Sequence, residues 1–546
     1  MNPASDTSFP SLRRLGFFLG LLLLMTYANS LHNGFMLDDD IEIFGEKGVG
    51  NRSPASLFLS RQGNFYRPIG HLPLWVAQRC FGNNVLGYHL LNLSGFFFVG
   101  VLFFSILARL LGDRKLALLS TALFAVHPVN AMLINYNSAT IILTGLLLQQ
   151  LSILFFLHWE EKRRNRFLAF SLAFFVLGLL SHETTLLVPI FLWGSLYFLR
   201  SDGFFLSLKA CRWHILIAGV YVLLRLPFFQ FNRMATGTWE AMAKPFVYLA
   251  SLLELEGWYL AKLIFPKDLL FIWTSTPAAQ QVALKATGWG LLALAIVWLL
   301  FFRWKKGIKP WALAIFVAGL AQLKLSAFTY YPRVGPVLEP HWFYLSSIGF
   351  FTGTAYLLLH VKQRISRVMW HGLIAGILAL LAFATGTYNT RYRDQETFCR
   401  YWLSVNPKNL TPFYGLGKVY FDREDYPQAA YWFQKGIDTV GYNNIYVLTE
   451  LGYSYYMVGK KASAEKFMNA AFTEDPDYSF VDHYVGVIYL REGNRDLALQ
   501  SFRKAVELYP RLFGSEAELS RTRLVRGLDG EVLSLYREAR AGRAAE

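Results

Sequence analysis

Long apolar segments separated by short polar loops fill the first 387 residues of the chain. Apolar runs of this kind are typical of helices that cross a bilayer. We count eleven of them, near residues 14–31, 88–109, 117–134, 139–158, 167–181, 185–199, 213–230, 284–302, 311–328, 342–360 and 368–386. The pattern therefore predicts a polytopic helical membrane domain over residues 1–387.

Residues 247–265 do not fit this alternation, although they are apolar enough to cross a membrane. If they crossed, the basic loop at 303–309 would fall on the opposite side from the other basic loops. We therefore expect residues 247–265 to be interfacial or re-entrant.

Basic side chains gather in loops at 109–115, 162–166, 303–309 and 362–367. Loops rich in Lys and Arg face the cytoplasm in most membrane proteins. The acidic triplet Asp38–Asp40, the 329–341 loop and everything after residue 387 are then predicted to lie on the non-cytoplasmic face. Arg13 and Arg14 precede the first apolar segment, which we expect to be an uncleaved span.

Composition agrees with a membrane protein. The chain has 546 residues, of which 54% are hydrophobic and 16% are charged, and the net charge is +16. Cytoplasmic loops account for the positive charge, and no nucleic-acid-binding motif accompanies it. The three cysteines, Cys80, Cys211 and Cys399, form neither a CxxC motif nor a disulfide framework.

A repeat begins where the apolar pattern ends. Glycines recur 35 and 34 residues apart, and each is followed 12 residues later by an alanine, in the pairs Gly417 and Ala429, Gly452 and Ala464, and Gly486 and Ala498. This is the tetratricopeptide period, in which small residues let two helices pack closely. We predict an all-α chain with a connecting segment over 388–409, three repeats over 410–510, and polar capping helices over 511–546.

The acidic triplet is the first candidate for chemistry. Carboxylates at the C-terminal end of a helix oppose its dipole, and ionisable groups at a membrane boundary are functional candidates. Two adjacent carboxylates raise the pKa of one of them, which suits a general base. The alternative is a solvated turn that leads into Ile41.

Several stretches occur in an order that resembles one family, the transmembrane-and-tetratricopeptide O-mannosyltransferases and their bacterial relatives. These belong to the C-type membrane glycosyltransferase superfamily. The stretches are Asn33 to Asp39, Tyr66-Arg67-Pro68, Gly87 to Asn92, Ala122 to Val129, Ser181-His182-Glu183, Tyr259 to Pro266, Tyr344 to Phe350, and Tyr388 to Pro407 with Arg393-Asp394-Gln395-Glu396-Thr397.

The resemblance implies a C-type glycosyltransferase fold, a polyprenyl-phosphate-sugar donor and an acceptor hydroxyl, expected on protein Ser or Thr. It implies Asp38 as the catalytic base and Asp39 as its companion. The chain departs from the family at Asn130 and Met132, where a His and a Glu are usual. It also departs at Glu339-Pro340-His341, where the family has Glu-Arg, and at Ser346, where a Pro is usual.

Basic residues in the predicted external loops, and Arg225 within the apolar segment 213–230, are candidates for binding the donor phosphate, because guanidinium groups grip phosphate oxygens in a fork. These candidates are Arg67, Arg225, Arg333 and His341. Further candidates for lining the cavity are Tyr66, His89, His127, Asn135, Asn137, His182, Glu183 and Glu339. For each of them, a purely structural role is the alternative.

We expect no cofactor, and a divalent metal at Asp38 and Asp39 stays open. The expected partners are the lipid-linked sugar, membrane lipid and a protein acceptor held by the repeats, with no nucleic acid. In a bacterium the protein would lie in the inner membrane with periplasmic repeats, and in a eukaryote in the ER membrane with luminal repeats. The alternative function is a non-enzymatic membrane scaffold that assembles a cell-envelope complex through its repeats.

Overall fold

The computed structural model describes residues 12–44, 48–59, 66–200, 202–225, 258–270, 273–274, 290, 307–316, 337–338, 344–441, 443–509, 513 and 530–544. Within these ranges the chain is predominantly helical, which confirms the predicted all-α class, whereas the C-type glycosyltransferase fold stays a prediction. The exception is a two-residue antiparallel pair, in which Trp273–Thr274 lies beside Val337–Leu338.

The chain divides into two compact units. The first contains residues 1–33 and 57–390, and the second contains residues 34–56 and 391–546. Residues 34–56 were predicted to belong to the membrane domain, whereas in the structure they group with the repeats. Two hydrogen bonds join this segment to the start of residues 391–546. The Gly34 amide donates to the Arg393 carbonyl at 2.9 Å, and the Leu37 amide donates to the Gln395 side chain at 2.8 Å.

Three long helices of the first unit begin at polar caps. The side chains of Asn84, Asp113 and Ser366 each accept a hydrogen bond from an amide in the first turn of a helix. Its helices are Leu12–Tyr27, Pro68–Phe81, Val85–Leu111, Arg114–Val126, Met132–Asn135, Thr140–Lys162, Asn165–Leu179, Val188–Leu199, Phe204–Ala210, Arg212–Arg225, Tyr344–Val361 and Arg367–Asn389, and the short helix Pro54–Leu59 runs from the second unit into it.

Three helices among the described residues are long and apolar enough to cross a membrane, at Val85–Leu111, Asn137–Lys162 and Arg367–Tyr392. Two bent helix pairs, Arg114–Val126 with Pro128–Asn135 and Phe204–Ala210 with Arg212–Arg225, raise the number to five if each pair forms one span. The eleven predicted spans therefore stay a prediction. Most of 284–302, 311–328 and the ambiguous segment 247–265 lies outside the described residues.

Buried asparagines join the first and last described helices of this unit. The Asn389 side chain donates to the Thr26 carbonyl at 3.0 Å and to Asn29 at 2.9 Å, and it accepts from Asn135 at 2.7 Å. Asn33 donates to the Asn135 oxygen at 2.6 Å. Because an unpaired amide inside an apolar bundle is costly, this network fixes how these helices pack.

In the second unit, the helix Gln395–Val405 precedes three helical hairpins. The paired helices are Leu410–Asp422 with Tyr426–Val440, Ile445–Met457 with Lys461–Glu474, and Ser479–Arg491 with Arg495–Leu508, and the helix Gly530–Ala544 follows. This arrangement confirms tetratricopeptide-type repeats.

The repeated glycines are points of close helix contact. A Cβ atom added to Gly417 would lie 2.3 Å from the Phe433 ring, and one added to Gly486 would lie 2.7 Å from the Phe502 ring. The equivalent distance from Gly452 to Met468 is 3.1 Å. The partner is the residue sixteen positions after the glycine in all three hairpins. The glycines therefore admit the second helix against the first.

Candidate functional site

Arg67 lies at the start of a helix, directly before Pro68, whose ring fixes the backbone at the first helical position. Its guanidinium reaches across to Glu183, 116 residues later in the sequence. The Arg67 Nε lies 2.9 Å and the Nη2 lies 2.7 Å from the same carboxylate oxygen, Oε2. One carboxylate oxygen thus accepts both hydrogen bonds from Arg67.

Arg225, the last residue of the helix Arg212–Arg225, approaches the other oxygen of Glu183. Its Nη2 lies 3.2 Å from Oε1. Its Nη1 donates to the Tyr66 carbonyl at 3.0 Å and to the Tyr221 hydroxyl at 3.1 Å. We call Arg67, Arg225, Glu183, Tyr66 and Tyr221 the arginine–glutamate cluster.

The cluster is largely withdrawn from solvent. The side chains of Arg67, Arg225 and Glu183 are 14%, 9% and 24% exposed. Glu183 lies between the predicted spans 167–181 and 185–199. Burial by itself would raise the pKa of the Glu183 carboxyl, but the positive charges of Arg67 and Arg225 outweigh it and lower this pKa to about 2. Glu183 is therefore an anion that orients two guanidinium groups.

Such an arrangement is chemically suited to an anion with several oxygens. A carboxylate that engages one edge of each guanidinium holds the two groups in a fixed relation, and guanidinium donors fit phosphate oxygens well. The structure brings together four of the residues selected from the sequence, Arg67, Arg225, Glu183 and the backbone of Tyr66. Three further candidates, Arg333, Glu339 and His341, lie outside the described residues.

His182 is buried beside this cluster and caps the turn Glu183–Leu187. The Thr184 amide donates to its Nδ1 at 3.3 Å, and the Thr184 hydroxyl lies 3.0 Å from the same nitrogen. These contacts fix the ring against the turn that carries Glu183. The observed role of His182 is thus to shape the backbone at the cluster.

The two other candidate histidines make contacts with the backbone of the first unit. The ring nitrogens of His89 lie 2.9 Å from the Ile134 carbonyl and 2.8 Å from the Asn33 carbonyl. His127 Nε2 lies 3.0 Å from the Leu263 carbonyl, and its Nδ1 accepts from the Val129 amide. These are the contacts expected of the structural alternative stated above.

Asn135 and Asn137 are fully buried in the first unit. Asn135 belongs to the asparagine network described above. The Asn137 carbonyl accepts hydrogen bonds from Thr140 at 2.8 Å and from Asn92 at 3.4 Å. A role for these two residues in the cavity stays a prediction.

Asp38 and Asp39 lie in the second unit, at the start of a short helix that follows Leu37 and continues as the π-helix Asp40–Phe44. Asp39 is fully buried, and its carboxylate accepts a hydrogen bond from the Met36 amide at 3.3 Å. Asp38 is half-buried. Leu37 has a φ of 50°, which few residues other than glycine adopt. Unusual backbone of this kind is concentrated at functional sites.

A metal ion at Asp38 and Asp39 would need further ligands from nearby side chains. Among the described parts of the chain, no group of three or more His, Cys, Asp or Glu side chains is placed to hold a metal ion. A metal-free site stays a prediction.

Two residues, Tyr221 and Gln395, were not among the candidate site residues selected from the sequence. Tyr221 lies four positions before Arg225, where helical residues are neighbours, so the helical period was the signal that could have found it. Gln395 belongs to the quoted stretch Arg393–Thr397, but no sequence signal connects it to Leu37.

Residues 485–512 match the tetratricopeptide repeat. A curated relative, the RNA polymerase-associated protein CTR9 of Caenorhabditis elegans, is 23% identical over 168 residues. The aligned part covers 31% of this chain and only 14% of that protein. The match therefore concerns a segment of CTR9 and not the whole protein.

Two solved structures are similar in part. MamA is 19% identical, with a TM-score of 0.22, over 29% of this chain and 95% of that chain. An oligosaccharyltransferase of Archaeoglobus fulgidus, crystallised with a tethered acceptor peptide, is 10% identical, with a TM-score of 0.41, over 89% of this chain and 71% of that chain. At such TM-scores neither structure bears on the activity of this chain.

Proposed function

We propose that the chain is an integral membrane glycosyltransferase. It would move a sugar from a polyprenyl-phosphate donor to an acceptor hydroxyl, on a protein Ser or Thr, at the non-cytoplasmic face. The observation that carries this proposal is the convergence of Arg67 and Arg225 on the Glu183 carboxylate. Both arginines were selected from the sequence as binders of the donor phosphate.

In the proposed reaction, the acceptor oxygen attacks the anomeric carbon from the side opposite the phosphate. The bond from this carbon to the phosphate oxygen breaks, and the configuration is inverted. Asp38 takes the hydroxyl proton, and Asp39 modulates its basicity. The guanidinium groups of Arg67 and Arg225 stabilise the charge that grows on the departing phosphate, so a general acid is not required.

The repeats would hold the protein acceptor. Stacked helical hairpins present an extended surface for a partner, which is a binding function and not a chemical one. The stacked hairpins also favour a second candidate function, a non-enzymatic membrane scaffold whose repeats recruit proteins of the cell envelope.

A transfer assay on the full chain in lipid nanodiscs separates the two candidates. The donor is polyprenyl phosphate carrying radiolabelled mannose, and the products are detected on envelope proteins by mass spectrometry. Asp38→Asn should abolish transfer. Arg67→Lys and Arg225→Lys keep the charge but lose the fork, and each should weaken donor binding roughly ten- to a hundredfold.

Arg109→Lys is the matched control. Arg109 pairs with Glu161 at an exposed site, where the two side chains are 38% and 34% exposed. It should leave transfer unchanged. Full transfer by both Asp38→Asn and Asp39→Asn would refute the proposed base. A wild-type protein that neither retains the donor lipid nor transfers its sugar would favour the scaffold.

A further inference from the structure

The stretch Arg393–Thr397 follows the last candidate membrane helix and begins the second unit. Asp394 caps the helix Gln395–Val405, because its carboxylate accepts the Thr397 amide at 2.8 Å. Arg393 pairs with Asp394, also at 2.8 Å. This cap makes Gln395 the first residue of the helix.

Both ends of the Gln395 side-chain amide have partners. Its oxygen accepts from the Leu37 amide at 2.8 Å, and its nitrogen donates to the Gly415 carbonyl at 2.9 Å. Gly415 belongs to the first helix of the first repeat. A single side chain therefore ties the backbone that precedes the acid pair to the first repeat.

Leu37 is held in a conformation that is unfavourable for its residue type. Its φ is 50°, in the left-handed region where the Cβ atom of a non-glycine residue crowds the following carbonyl oxygen. Its side chain is only 6% exposed and packs on Gly415, where an added Cβ would lie 2.9 Å from Leu37 Cδ2. The conformation thus depends on the contacts around it.

The helical turn that begins at Asp38 depends on the backbone conformation of Leu37. The Asp39 amide donates to the Met36 carbonyl at 3.0 Å, and the Asp39 carboxylate accepts the Met36 amide in return. Asp38 and Asp39 are the two residues that directly follow Leu37 in the chain. A change in the Leu37 backbone would redirect both carboxylates.

We propose that Gln395 is a positioning residue, which sets the backbone at Leu37 and thereby aims the Asp38 and Asp39 carboxylates. The first repeat then supports the catalytic acids as well as any acceptor. The catalytic part of this proposal rests on the proposed glycosyltransferase function.

The test uses the full chain in nanodiscs with two variants and a matched control. Gln395→Ala removes both hydrogen bonds, whereas Gln395→Glu keeps an acceptor for the Leu37 amide and loses the donor to Gly415. The control is Gln434→Ala. Gln434 also bridges two partners in the second unit, accepting from Tyr455 at 3.1 Å and donating to Asp438 at 2.8 Å, but it has no bond to the acid segment.

We expect Gln395→Ala to lower kcat at least about tenfold with an unchanged KM for the donor, and to shift the acidic limb of the pH–rate profile. Gln395→Glu should keep more activity than Gln395→Ala, and Gln434→Ala should stay within about twofold of the wild type. A merely structural role would reduce the amount of folded enzyme and would leave kcat per folded enzyme and the pH profile unmoved.

Hydrogen exchange of the Leu37 amide gives a readout that does not need activity. It should be about tenfold or more faster in Gln395→Ala than in the wild type or Gln434→Ala. An active wild type with an unchanged kcat in Gln395→Ala would overturn the positioning role and leave the proposed function standing. An inactive wild type would refute the proposed function. An unchanged exchange rate of the Leu37 amide in Gln395→Ala would refute the proposal that Gln395 holds the Leu37 backbone.

Discussion

Glu183 and Arg225 form an ion pair at 3.2 Å although 42 residues separate them in the sequence. Arg67 approaches the other oxygen of the same carboxylate at 2.7 Å. Glu183 is therefore a shared anion that joins the two guanidinium groups by pairing with both. The arrangement explains why a carboxylate stands among residues selected for binding phosphate.

Replacement of this shared anion should destabilise the protein. Glu183→Gln leaves two poorly solvated guanidinium groups without their common carboxylate, and breaking a buried pair costs about 3–5 kcal/mol. Because Glu183 is 24% exposed, we expect a smaller loss of about 2 kcal/mol. Thermal unfolding in detergent measures it. Glu161→Gln, which removes the exposed pair with Arg109, should change stability by less than about 1 kcal/mol.

The glycines of the repeats should differ in their tolerance of a methyl group. Gly417→Ala and Gly486→Ala would press on the rigid rings of Phe433 and Phe502, and overpacking of this kind costs about 1–3 kcal/mol. A Cβ added in Gly452→Ala would lie farther from its neighbours, 3.1 Å from the Met468 side chain and 3.2 Å from its backbone nitrogen, and should cost less.

Urea unfolding followed by pulse proteolysis ranks these three variants. The double variant Gly417→Ala with Phe433→Leu should recover part of the loss, because the smaller side chain makes room for the methyl group. Equal losses for all three glycine variants would contradict the contact explanation.

His483 should make the repeat unit less stable in acid. Burial lowers the pKa of its ring to about 3, and the ring nitrogen Nδ1 lies 2.8 Å from the Tyr536 hydroxyl. The unfolded chain binds a proton at His483 below its ordinary pKa of 6.5, whereas the folded chain does so only near 3. Stability is therefore complete above pH 6.5 and falls between pH 6.5 and 3, by up to about 1.4 kcal/mol per pH unit.

The comparison of wild type with His483→Phe isolates this effect, since other titrating groups, including the neighbouring Asp482, are common to both proteins. Pulse proteolysis in urea between pH 7 and pH 4.5 should show a shallower decline for His483→Phe. Parallel stability curves would mean that His483 titrates alike in the folded and unfolded chain.

The asparagine network should contribute to the packing of the first unit. Asn389→Leu removes three side-chain hydrogen bonds and leaves the Asn135 amide nitrogen with only its bond to the Ala131 carbonyl. Bonds between membrane helices contribute about 0.6 kcal/mol each on average, so we expect a loss of about 2 kcal/mol in detergent unfolding. Asn29→Ala, at an exposed position of the same network, should cost about one-third as much.

The repeats could be predicted from the sequence because the pattern that identifies them lies within short stretches of chain. The spacing from Gly417 to Ala429 and its two recurrences reflect contacts within single hairpins, where neighbours in space are also near in sequence. The predicted helical fold with tetratricopeptide repeats is confirmed for the same reason. The residue type and position of Arg67 in the first external loop, and of Arg225 inside an apolar segment, sufficed to mark them as candidates.

The sequence by itself determined the helical class, the apolar segments, the repeat period and the candidate arginines, since periodicity and residue chemistry act over short stretches of chain. Only the tertiary structure decided that Glu183 joins Arg67 to Arg225, and that Gln395 holds Leu37 beside the acid pair. The Leu37 and Gln395 partners are 358 residues apart. Individual hydrogen bonds over such separations depend on how the whole chain packs, and they leave no periodic pattern in the sequence.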